Sequence, residues 1–305
     1  MGMGRVLTRA LCFVAIILLG YVLRKRNYFK EGDFHVLSKI VLKITLPAAI
    51  VGSFANKEID ASLLVLCLIG MGGGILYMAA AYLVHIRAGK EKQAFAVLNT
   101  AGYNIGNFTL PFAQSFLGPV GVVATSLFDS GNAVICLGGA YSVASMIKGT
   151  EGGFSVLRIV KMLARSIPFV TYLIMTTLAL LHIRVPEPVT DLAGIIGNAN
   201  AFMAMLMIGV GFHLSGDREQ VGTIVRILSV RYGIAILLAL GCYFLLPLEL
   251  EYRQTLALLV FSPIGSAAPA FTADLKGDIG LASAVNSISI LISIVCIVTT
   301  LLLIL

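Results

Sequence analysis

The sequence predicts an all-α integral membrane protein of about ten transmembrane helices in two inverted five-helix repeats, with its fourth and ninth helices interrupted. Three observations predict it. Hydrophobic residues make up 58% of the 305 and charged residues 12%, with a mean hydropathy of +0.97. Soluble domains carry about 25% charged residues, so water is not the main solvent of this chain. Apolar runs long enough to cross a bilayer recur along the chain, and the two halves match at a common offset.

The runs lie near 6–23, 35–54, 62–85, 94–116, 120–147, 167–182, 189–214, 225–246, 255–275 and 279–305. A spanning helix needs about 20 mostly apolar residues. No stretch between the runs suffices for a soluble domain, so one transmembrane domain is expected over 1–305, with repeat one at 1–147 and repeat two at 158–305. The first run ends in Arg24, Lys25 and Arg26 without a small-residue cleavage site, and is expected to stay as a helix rather than leave as a signal peptide. The five cysteines, Cys12, Cys67, Cys136, Cys242 and Cys296, fall inside runs without paired spacing and read as small core residues.

The net charge of +7 does not mark a nucleic-acid binder, because the cations are scattered between apolar runs. Sorted by alternate sides, 17 of the 22 Lys and Arg, Lys39, Arg218 and Arg231 among them, fall on one side. Arg5, Arg9, Lys57, Arg184 and Arg253 fall on the other. The positive-inside rule makes the rich side cytoplasmic, so both termini are expected outside the cytoplasmic membrane.

Phe112 pairs with Phe271, Gly118 with Gly277 and Gly121 with Gly280, each at an offset of 159 residues, and Pro111 matches Pro269 at 158. The same offset of 159 carries Gly52 onto Gly211. Five spans per unit is an odd number, so the second unit enters the membrane from the opposite side. Inverted repeats are a signature of transporters.

The fourth run, QAFAVLNTAGYNIGNFTLPFAQSFLG, puts Asn99, Asn104 and Asn107 with Gly102, Gly106 and Pro111 at bilayer depth. Unsatisfied amides there cost several kcal/mol each. Proline removes a donor and clashes with the preceding turn, which predicts a break just before Pro111. The ninth run, TLALLVFSPIGSAAPAFTADL, holds Pro263, Gly265, Ser266 and Pro269 and is expected to break as well. Two prolines that only kink helices, with asparagines as interhelical glue, would explain either segment alone. Matched breaks point instead to a binding site, where half-helix N-termini present free N–H groups to an anion.

The stretch NIGNFTLPFAQSFLG, Asn104 to Gly118, resembles the fourth-helix signature of the auxin efflux carrier family. GSAAPAFTADL in the ninth run and ANAFMAMLMIGVGF in the seventh resemble their family counterparts. That family includes plant auxin exporters and bacterial carriers of malate or malonate. The resemblance implies helices four and nine crossing at proline breaks, termini outside, and a carboxylate bound by polar groups at the crossover. By position that role falls on Asn104, Pro111 and Pro269, with Asn107 an extra polar residue that bacterial relatives share; Gly106, Ser266 and Ala267 at the two breaks complete the candidate binding residues. The long cytoplasmic loop of many plant members is absent, which argues against auxin itself.

Asp129 is the acidic residue deep inside an apolar run, near the midplane, with Asn132 on the same helix face. A carboxylate at that depth is expensive and marks function by default, here coupling to protons. A paired structural Asp is the plain alternative. Lys39 is expected to snorkel to the cytoplasmic interface. Lys43, upstream of Pro47, is the candidate to support the site or neutralise Asp129. Gly70, Gly72, Gly73 and Gly74, and Gly138 with Gly139, are expected to permit close helix packing, and Met203, Met205 and Met207 to fill gaps. His35, His85, His182 and His213 form no metal-binding spacing, and no phosphate-binding loop or nucleophile motif is present, so no cofactor and no enzyme activity are expected.

The expected function is secondary transport of a small organic anion, a dicarboxylate or an auxin-like carboxylate, by alternating access, with H+ or Na+ as coupling ion. A sodium-coupled or proton-coupled carrier of another solute, an intramembrane enzyme and a channel are the rivals. Bilayer lipid and the anion are the partners, nucleic acid is not, and a homodimer is a possible assembly.

Overall fold

The computed structural model describes residues 3–30, 32–55, 57, 59–150, 155–212 and 220–305. His213, Arg218 and the end of the predicted seventh run lie outside them. The described residues form helices and no strand.

Helix α1 is Met3–Lys25 and α2 is Asp33–Phe54. A wide π turn at Val41–Thr45 precedes Pro47, where the missing N–H loosens the helical ladder. Helix α3, Ala61–Val84, starts at Asp60, whose carboxylate is held below its ordinary pKa by hydrogen bonding from the Ser62 side chain and from the Ser62 N–H at 2.7 Å. The fourth span is split into α4a, Lys90–Thr100, and α4b, Leu110–Phe116. Helix α5 is Gly118–Lys148, and an amphipathic helix, Val156–Arg165, leads by an 81° bend into α6, Ile167–Leu180. Helix α7 is Glu187–Gly211, α8 is Val221–Phe244, the ninth span is α9a, Leu250–Leu259, and α9b, Ala268–Asp274, and α10 is Ile279–Ile304.

Among the described residues, seven helices, α5 with a kink at Gly138, and the bent pair with α6 are long and apolar enough to cross a bilayer. The fourth and ninth spans are too short in either half alone. Leu18, Leu68, Leu173, Ile195, Leu237 and Val295 are exposed, as lipid-facing side chains should be.

The helices sort into two bundles. Helices α1, α2, α6 and α7 pack on one another, while α3, α4, α5, α8, α9 and α10 form a second group. Helices α2 and α7 run antiparallel: the end of α2 at Gly52 meets Gly194, and the end of α7 at Gly211 meets Phe34. Close approach carries the packing, because lipid tails are as apolar as leucine and supply no hydrophobic drive. A Cβ on Gly131 would lie 1.8 Å from the Cys67 carbonyl oxygen, and one on Gly70 would lie 2.1 Å from that of Phe128, so α5 and α3 touch backbone to backbone. Gly73 and Gly74 also meet neighbours, but Gly72 faces open space and serves no packing role. Of the cysteines only Cys242 is buried; Cys12 is exposed, a correction to their reading as core residues.

Candidate functional site

The fourth span breaks earlier than Pro111 suggested. Helix α4a ends at Thr100, the chain is non-helical through Ala101–Asn104, and Pro111 follows the wide π turn Ile105–Thr109 that opens the second half, a turn that accommodates its missing N–H. Two features set the break. Gly102 has φ +74, and a Cβ there would lie 2.5 Å from Cys136 Sγ, so only glycine fits. Next to it, Asn132 on α5 accepts the Tyr103 N–H at 2.9 Å and donates to the Tyr103 carbonyl at 2.8 Å, replacing the partners that the helix gave up.

The ninth span is held open by the same device. Ser289 Oγ on α10 accepts the Ile264 N–H at 3.1 Å, and Asn286 Nδ2 donates to the Ile264 carbonyl at 3.0 Å. From Tyr103 to Phe112 there are two more residues than from Ile264 to Phe271, and the wide π turn Ile105–Thr109 lies within the longer stretch.

The breaks interlock. The Asn104 N–H donates to the Pro263 carbonyl at 2.9 Å, Asn107 Nδ2 donates to Ser266 Oγ at 3.3 Å, and the hydroxyls of Thr109 and Ser262 share a hydrogen bond of 2.6 Å. The C-terminal ends of α4a and α9a converge on Arg231 of α8, which is fully buried. Its guanidinium donates to the Thr100 carbonyl, to Ser262 O at 2.7 Å and to Pro263 O at 3.1 Å. It also lies over the rings of Tyr77 at 4.8 Å and Tyr103 at 5.4 Å. Each helix end carries about half a negative charge, so one guanidinium balances two. Counting Arg231 as a cytoplasmic interface cation was therefore an error: ten residues inside α8 it lies roughly 15 Å deep.

The N-terminal ends of the other two half-helices face a cavity of about 520 Å³. Backbone bonding in the π turn starts at Thr109, which bonds Asn104 O, so the N–H groups of Ile105 to Phe108 have no acceptor in the helix. The cavity lies between the bundles. It is lined by Leu42, Lys43 and Leu46 of α2, Ile167 to Phe169 and Tyr172 of α6, and Met162 and Arg165 of the amphipathic helix. From the other bundle come Tyr103 to Asn107, Asp129, Asn132, Cys136 and Gly265 to Ala267. The amide of Asn104 has no partner among the described residues and lines this space.

Asp129 is half-buried on the cavity wall. Its carboxylate accepts Asn132 Nδ2 at 2.7 Å and the Tyr172 hydroxyl at 2.9 Å, the latter across the boundary between the bundles. Gly106 makes room, since a Cβ there would lie 2.9 Å from Leu46 Cδ2 and 3.8 Å from Asp129 Oδ2. Lys43 lines the same cavity, yet among the described residues no ion pair joins it to Asp129. Hydrogen bonds rather than a cation satisfy the acid.

Asn104, Gly106, Asn107, Asp129, Asn132, Lys43, Ser266 and Ala267 are thus brought to one cavity. Pro111 and Pro269 are not on its wall. Arg231, Tyr172 and Asn286 are the site-building residues that the sequence reading missed. An arginine six positions into the eighth apolar run was the signal available for Arg231, and an amide inside the tenth run the signal for Asn286; for Tyr172 there was none.

Comparison with known proteins agrees with this architecture. A protein of Methanothermobacter thermautotrophicus, named only as an uncharacterized transporter, is 24% identical over 291 residues, covering 93% of this chain and 94% of that one. The family described as Membrane transport protein matches residues 6–305. Nearly the whole chain is covered, broken helices included, and the chain therefore belongs to this membrane transport protein family, the auxin efflux carriers.

Proposed function

We propose that this transporter is a secondary carrier of a small organic anion, a carboxylate of dicarboxylate size, working by alternating access. One observation carries the reading: the N-terminal ends of two half-helices, with unpaired N–H groups and the free amide of Asn104, open onto one cavity shared by two bundles. Two such ends supply about one unit of positive charge without a hydrated cation, which suits a carboxylate. The six-helix bundle carries the crossover, and its movement against the four-helix bundle would turn the cavity from one face to the other.

Asp129 is the coupling group in this reading. Its bond to Tyr172 crosses the moving boundary, so taking up a proton alters a contact between the bundles. In this reading both termini lie outside, the side that the cation asymmetry favours.

A thermal-stability screen of purified protein against mono- and dicarboxylates tests the assignment. Dicarboxylates are expected to raise Tm in the wild type and much less in Asn104→Ala. Stabilisation by no carboxylate, or by the same amount in the variant, would reject it. Counterflow with labelled solute separates a carrier, which exchanges and saturates, from a channel, which does neither.

A further inference from the structure

Arg231 poses a question that anion binding leaves open: what the crossover does with its negative ends. In carriers built from broken helices, carbonyls at half-helix C-termini are where a coupling sodium ion is held. Here the carbonyls of Thr100, Ser262 and Pro263, from both broken spans, converge on the guanidinium of a third helix. The planar fork reaches acceptors on two helices at once, which an ammonium point charge does less well. The faces of Tyr77 and Tyr103 close over it, and no part of Arg231 is exposed to solvent. A sodium ion beside it would meet a like charge at contact distance in a dry setting and would find the charge of both helix ends already balanced.

We propose that Arg231 is a tethered counter-ion standing where a coupling sodium ion would otherwise bind at the crossover. The cation belongs to the chain, so the crossover stays assembled through the transport cycle instead of loading and unloading an ion. Arg231 is a positioning residue: it does not line the cavity and holds α4, α8 and α9 as one moving piece. The inference rests on the carrier reading only for its meaning in transport. Its test uses cations and no solute, so either can fail without the other.

The test measures thermal unfolding of the full chain in detergent, in NaCl, KCl and choline chloride at equal ionic strength. Wild-type Tm is expected to be the same in all three. Arg231→Lys, which keeps the charge and loses the fork, should unfold earlier but stay indifferent to the cation. Arg231→Gln empties the carbonyl cage, and NaCl should then raise its Tm by about 5 °C or more over choline. A wild type stabilised specifically by sodium overturns the proposal, as does an Arg231→Gln protein as stable as wild type in choline or unmoved by sodium. If Arg231→Gln folds in neither salt, Arg231→Lys decides: cation-indifferent supports the tethered charge, sodium-responsive rejects it.

Discussion

Asn107 donates to Ser266 across 159 positions of the chain, the interval that also relates Phe112 to Phe271. The contact ties the broken fourth span to the broken ninth at the wall of the cavity.

The pair should behave as a unit. Asn107→Ala and Ser266→Ala are each expected to weaken carboxylate stabilisation, and the double variant to lose less than the two losses combined. A coupling of about 0.5–1.5 kcal/mol in a double-mutant cycle is the expected size. Strict additivity would mean that the contact plays no part in binding.

Uptake into proteoliposomes should depend on pH in the wild type and lose that dependence in Asp129→Asn. The amide keeps the shape of the carboxyl and removes its proton exchange. An unchanged pH profile in the variant would remove Asp129 from coupling and leave it a structural partner of Asn132 and Tyr172.

Charge reversal between Lys43 and Asp129 should give no rescue. Neither residue is the other's partner, so the effects of Lys43→Glu and Asp129→Lys on thermal stability are expected to add within about 0.5 kcal/mol. Rescue of the single losses by the double variant would show an ion pair that forms at another stage of the cycle.

Gly102→Ala should destabilise by about 2–4 kcal/mol, from a backbone in the left-handed region and a methyl 2.5 Å from Cys136 Sγ. Adding Cys136→Ala should recover the overlap and not the backbone strain. Gly72→Ala is the control: it sits inside α3 with nothing within 4 Å and should be neutral or slightly stabilising in a thermal assay.

The broken spans show where reading a sequence stops. Proline and glycine at membrane depth announced that α4 and α9 could not be continuous, because a missing donor is a local fact about one residue. The position of the break was not local. It depends on Gly102 lying against Cys136 and on Asn132, 29 residues away, taking both main-chain groups of Tyr103. Arg231 misled for a related reason. The positive-inside rule treats an arginine near a helix end as an interface residue, whereas this one is fully buried by two carbonyl-bearing helix ends and two tyrosine rings.

Sequence alone determined that this protein is a membrane transporter of helices, that two of its spans break, and that asparagines and one aspartate stand at membrane depth. Each follows from hydropathy, backbone chemistry and the cost of polar groups in lipid, all of which act within a segment. The tertiary structure decided which polar groups meet. It paired Asp129 with Tyr172 rather than Lys43, set Asn107 of the fourth span against Ser266 of the ninth, and placed Arg231 on carbonyls of both broken spans. Those pairings depend on how helices far apart in the chain cross, and the periodicity of a single segment carries no record of that.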